Sequence, residues 1–233
     1  MKRFRVSGRS ASPLPKTNAR PRNNRSPKRG GGGAGRVSEE PTMTADLAPP
    51  RYPDLRDQTI VLVGLMGVGK SSVGRRLANT LDLPFRDADN EVERAAGRSI
   101  PEIFAEMGEE AFRDGERRVI ARLLDEPPHV LATGGGAFVN AETRALIKDK
   151  AIAVWLKADL ELLARRVGRK DGRPLLKNRD PMDVLREQAV TRYPAYGEAH
   201  LTVETGDTPH MVAVEAVIAA LQGRLAAASA TGE

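Results

Sequence analysis

The run TIVLVGLMGVGKSS, Thr59 to Ser72, constrains this chain more than any other stretch. Its first five residues are aliphatic or β-branched without alternation, as in a strand buried on both faces. Then follows Gly64-x4-Gly69-Lys70-Ser71, the spacing of a phosphate-binding loop between a strand and a helix. Glycines let successive backbone N–H groups close on a phosphate, and the helix start adds partial positive charge. Gly67, Val68, Gly69, Lys70, Ser71 and Ser72 are therefore candidate ligands of a nucleotide's phosphates. Lys70 is placed to reach the β- and γ-phosphates, and the Ser71 hydroxyl to ligate Mg²⁺. A plain glycine turn is the simpler alternative. A dinucleotide-binding fingerprint read from Gly67 and Gly69 would need glycine where Ser72 stands.

Charge separates the chain into two parts. Residues 1–50 carry 11 Lys and Arg against 3 Asp and Glu, and the remaining 183 carry 26 against 28. The overall +6 thus belongs to the N-terminal segment, and the body is near neutral. Residues 1–56, with RPRNNRSPKRGGGGAG, have too few apolar groups to offset ordering entropy and are expected to be a disordered basic extension. This extension reads as a passive tail, or as an upstream start with Met43 the true one. Attraction to RNA or acidic surfaces and a transit peptide are the other readings. No nucleic acid is expected at the body. The absence of cysteine excludes disulfides, thiolate metal sites and cysteine nucleophiles. No apolar run approaches the length of a membrane span, so no membrane partner is expected.

From Thr59 onward short apolar runs alternate with amphipathic segments. TIVLV, PFRD, HVLAT, AIAVWL and HLTVET read as strands. Helices are expected over 71–81, 99–124 with a break near Gly108, 141–148, 160–167, 182–191 and 211–225. This alternation predicts a three-layer α/β/α sandwich around a five-stranded, mostly parallel sheet.

Further features bear on what lies opposite the nucleotide. Asp87 and Asp89 end the second strand, where open α/β sheets bind ligands. One acid can hold a metal's water shell and the other can accept a hydroxyl proton. An N-cap role for the following helix is compatible with both. Gly134, Gly135 and Gly136 follow the third strand, either as a plain turn or as a place where a ligand meets the main chain. Arg113 and Arg192 sit among apolar and aromatic residues and could grip a carboxylate bidentately, although each alone reads as well as a solvated charge. Arg173, in the glycine-flanked GRKDGRPLL, resembles a cation delivered by a lid over about 168–180.

The segment from Thr59 to about Leu221 resembles shikimate kinases. It carries GLMGVGKS, DADNEVE, IFAEMGEEAFRDGE, TGGGA, RPLL and RYPAY in that family's order. The resemblance implies a nucleoside-monophosphate-kinase-like P-loop fold with a helical substrate-binding region and a lid. It implies transfer of the ATP γ-phosphate to the 3-hydroxyl of shikimate, on the route to chorismate and the aromatic amino acids. It assigns Lys70, Asp89 and Arg173 to catalysis, Asp89 as proton acceptor. Ser71 would ligate one Mg²⁺ directly and Asp87 through water. Asp89, Arg113, Gly134 to Gly136 and Arg192 would bind shikimate, with Phe104 and Phe112 as an aromatic wall. Arg166 and Pro209 would flank the adenine. A shikimate kinase domain over 57–226, a flexible tail over 227–233, a cytoplasmic location and a monomeric state complete the expectation. The rivals are a P-loop kinase for another hydroxylated compound such as gluconate, and a regulatory module that keeps the fold as a sensor.

Overall fold

The computed structural model describes residues 52–168 and 179–231. Five parallel strands form one sheet: β1 (Thr59–Val63), β2 (Phe85–Asp87), β3 (Val130–Ala132), β4 (Ala151–Lys157) and β5 (Leu201–Glu204), in the order β2-β3-β1-β4-β5. All five residues of β1 are buried, as a central strand covered on both faces must be. The helices are α1 (Lys70–Leu81), α2 (Ala88–Ala96), α3 (Ile100–Leu124), α4 (Ala141–Lys150), α5 (Leu160–Gly168), α6 (Pro181–Tyr196) and α7 (His210–Thr231).

The strand order dictates the layers. The β1-α1-β2 crossover runs one way along the sheet and β3-α4-β4 the other, so right-handed connections put α1 and α4 on opposite faces. In agreement, α1 packs with α7, and α3 packs with α4. Val73, Leu77, Ala78 and Leu81 point from α1 into the core at the i, i+4 spacing of one helix face. Gly74 lies on that same face: a Cβ there would sit 2.8 Å from the Phe85 ring and 3.1 Å from Leu62 Cδ1. The helix therefore approaches the sheet closer than alanine would allow. The break expected near Gly108 is present, because Gly108 has non-helical angles inside α3 (φ 84°, ψ 173°).

Several boundaries need correction. The disordered extension was expected to reach residue 56, yet a 3-10 turn forms over Pro53–Leu55. Leu55 is 4% exposed in the core, and Arg56 pairs with Asp82 at 2.9 Å. One buried leucine outweighs the polar average of the segment it ends. The rest of the extension, 1–51, lies outside the described residues. At the other end α7 continues through 227–231, the expected flexible tail, because alanines favour helix without needing burial. Helix α6 runs past Thr191 to Tyr196 with Pro194 inside its last turns, held by the burial of Tyr196.

The expectation of no span-length apolar run also fails. The stretch His210–Ala230 has a mean hydropathy of 1.5 over an 18-residue window, long and apolar enough by length and composition. Its alanines raise the value, while Val214, Val217 and Leu221 are fully buried in the core. One face of α7 is thus packed on the core, and the helix's hydropathy alone is weak evidence for a membrane.

Candidate active site

Register brings the carboxyl ends of β1, β2 and β3 to one edge, with Asp87 beside Ala132 and Ala132 beside Leu62. The site grows from that edge. At Gly64 the chain leaves β1 with φ 139°, and a Cβ there would lie 2.4 Å from the Leu156 carbonyl oxygen. Only glycine can turn away so close to β4. Gly69 then precedes α1 without any side-chain cap, leaving the first N–H groups of the helix for an external acceptor. Lys70 bends back over the loop, its Nζ donating to the carbonyls of Gly64 at 2.8 Å and Leu65 at 3.1 Å.

The Ser71 hydroxyl donates to Asp87 Oδ2 at 2.6 Å. Two hard oxygens meet here beside the phosphate loop. Among the described residues no group of three or more His, Cys, Asp or Glu side chains could hold a metal ion. A donor pair of this kind suits Mg²⁺, which takes its remaining ligands from water and substrate phosphate. Asp87 also caps α2 by accepting from the Asp89 N–H at 3.2 Å, so the capping and metal-shell readings coexist.

Asp89, in the first turn of α2, is half-buried. Burial raises its carboxyl from the ordinary aspartate value, Asp87 raises it further, and Lys70 opposes. Beside it stands Glu116, which the sequence reading missed. The Glu116 side chain is 3% exposed and takes Arg113 Nη1 at 2.8 Å. Burial raises its carboxyl too, against the pull of Arg113. Glu116 Oε1 is buried without a hydrogen-bond partner, an acceptor awaiting a donor. The Arg113–Glu116 spacing of i, i+3 on one helix face was the available signal.

The glycine run is the floor under these groups. A Cβ on Gly134 would stand 2.5 Å from Glu116 Oε1 and 2.8 Å from Asp89 Oδ1. On Gly135 it would lie 2.8 Å from Arg192 Nη1, and on Gly136 2.6 Å from Arg113 Nη1. The run exists because charged side chains lie directly on the main chain, which rules against a plain flexible turn. Tyr196, also missed, donates its hydroxyl to the Gly135 carbonyl and hydrogen-bonds Arg192. Burial pushes its phenol to about 12, so it stays a donor.

The other expected residues fall around this centre. Phe112 is buried and Phe104 partly so, with ring centroids 4.8 Å apart, and the Arg113 guanidinium lies 5.0 Å above the Phe112 ring. Arg113 also bonds Glu109 at 3.1 Å. Arg166 donates to the Gly206 carbonyl at 2.8 Å and lies 3.6 Å from Asp207, which joins α5 to the turn that ends in Pro209. Arg173 and most of the expected lid lie outside the described residues. Of its edges, Arg179 pairs with Glu187 at 2.6 Å and Asp180 caps α6.

A nucleotide cradle therefore adjoins a recess with two arginines and two carboxylates. The shikimate kinase family model matches residues 66–222. The chain belongs to the shikimate kinase family. A shikimate kinase from Caulobacter vibrioides (strain NA1000 / CB15N) is 77% identical over 180 residues, covering 77% of this chain and 88% of that one. The shikimate kinase of Rhodopseudomonas palustris (strain ATCC BAA-98 / CGA009) is 51% identical over 197 residues, covering 83% and 97%. Among solved structures, shikimate kinase from Acinetobacter baumannii in complex with shikimate has a TM-score of 0.69 at 39% identity, covering 72% of this chain and 94% of its own. These relatives are bacterial.

Proposed function

We propose that the chain transfers the γ-phosphoryl group of ATP to the 3-hydroxyl of shikimate, giving shikimate 3-phosphate and ADP on the route to chorismate and the aromatic amino acids. One observation carries this reading. Asp89, Glu116, Arg113 and Arg192 converge on the glycine floor beside the phosphate loop, and such a recess suits a small hydroxylated acid. Arg113 and Arg192 take the acid's carboxylate, since a planar guanidinium matches it with two parallel hydrogen bonds. Asp89 and Glu116 accept from the ring hydroxyls.

In the reaction the acceptor's oxygen bonds to the γ-phosphorus while the bond from that phosphorus to the bridging oxygen of ADP breaks. Asp89 takes the hydroxyl proton, a task its raised basicity favours. Lys70 exchanges its loop carbonyls for phosphate oxygens and balances charge on the transferring group. Ser71 directly, and Asp87 through water, would hold Mg²⁺, which when bound neutralises phosphate charge. Little covalent work is asked of the protein; alignment and charge supply the rate. Arg173 is assigned to the transferring group by its sequence context alone. The enzyme acts as a cytoplasmic monomer with no membrane or nucleic-acid partner at its body.

A coupled ADP-release assay tests this. ADP should appear when shikimate is supplied, and far more slowly with gluconate or nucleoside monophosphates. Equal rates without shikimate, or preference for gluconate, would sink the assignment.

A further inference from the structure

Helices α2 and α3 pack on one another without closing. Between them lies a recess of about 710 Å³. From α3 it is lined by Phe112, Gly115 and Val119, at the i, i+3, i+7 spacing of one helix face. Arg113 and Glu116 belong to the next face, and neither they, Asp89 nor Arg192 line this recess. Val92 closes it from α2, and Ile103 and Met107 from the first part of α3, beyond the break at Gly108. The space is open where α3 is thinnest: nothing lies within 4 Å of a Cβ on Gly115. A hollow of this size, apolar with a few charged groups, is the usual form of a small-ligand site.

The charged groups say what ligand fits. Arg98, Glu106 and Arg118 also line the recess. Arg98 and Glu106 pair with each other. Arg118 lies 3.0 Å from Asp114, but Asp114 already takes Arg117 at 2.6 Å. The Arg118 side chain is 74% exposed, so its guanidinium has donors to offer an anion. An apolar hollow with one incompletely neutralised guanidinium suits a flat apolar body carrying a single carboxylate. It suits the basic segment 1–50 poorly, since like charges would meet.

We propose that this recess is a second ligand site, apart from the acceptor recess, for a small aromatic carboxylic acid, with the ring among Val92, Phe112 and Val119 and the carboxylate on Arg118. Isothermal titration of the full chain with cinnamate and with its neutral counterpart cinnamamide tests this without any need for turnover. Cinnamate should bind one saturable site with a Kd on the order of 0.1–1 mM. Cinnamamide should bind roughly threefold to tenfold more weakly. Arg118→Gln should reduce cinnamate to the affinity of the amide. Gly115→Leu, which fills the hollow and favours helix, should abolish binding of both while melting no lower than the parent. Arg192→Gln should leave cinnamate binding intact. No saturable binding to the parent, equal affinities for acid and amide, parent-like binding in Arg118→Gln or Gly115→Leu, or loss of binding in Arg192→Gln would each overturn the proposal; the last would put the acid in the acceptor recess instead.

Discussion

At Asp89, burial and the neighbouring Asp87 both favour the protonated carboxyl, so activity should fall on the acid side at a pH above that of an ordinary aspartate. Asp89→Asn should lower kcat about 10²- to 10⁴-fold, the usual worth of a positioned base, and retain ADP binding. Stability should move the other way. The folded pKa is raised, so the ionised form costs folding free energy above that pKa, and the cost vanishes below the unfolded pKa. Asp89→Asn should therefore melt higher than the parent near pH 8, with the gap closing towards pH 4; a gap independent of pH would contradict the burial argument. Arg192→Lys keeps charge but loses the planar fork. The KM for shikimate should rise roughly 10- to 100-fold, and an unchanged value removes Arg192 from the site. Lys70, Asp89 and both arginines were legible because motif spacing names them. Glu116 and Tyr196 were not, since their weight comes from Gly134 and Gly135, which only folding brings near.

Two glycines in helices show how an element reads its surroundings. Gly74 in α1 has the Phe85 ring and Leu62 against it, whereas nothing lies within 4 Å of a Cβ on Gly115 in α3. Gly115→Ala should stabilise by up to about 1 kcal/mol, the helix-propensity gain. Gly74→Ala should destabilise by about 1–3 kcal/mol through overpacking, despite the same gain. Chemical denaturation of both variants checks the contrast, and a stabilised Gly74→Ala would mean that the helix can retreat from the sheet. The helical pattern revealed both glycines but not their difference, because the depth at which α1 meets the sheet is tertiary. Elements with strong periodicity were read to within a few residues. Those that ran long, α6 and α7, are extended by the burial of Tyr196 and by a tail of alanines, neither of which changes the local pattern.

For the whole molecule, the five parallel strands and the charge division were readable from alternation and composition. The order β2-β3-β1-β4-β5 was not, since it depends on which way each crossover turns across the sheet. That order gathers the phosphate loop, Asp87, Asp89 and the Gly134–Gly136 run at the carboxyl ends of the strands. The opposite edge, where β4 starts at Ala151 just after the exposed Asp149, contributes none of them. The chain has no cysteine, so Asp149→Cys would carry the single thiol of the protein. Coupled through that thiol to a maleimide-bearing surface, the enzyme should keep the kcat and both KM values of the free form; slower turnover at saturation would mean that this edge takes part after all. With the described candidate residues gathered at one pole, the far pole is the place for tethers, dyes or fused domains that should hold the molecule without stopping it.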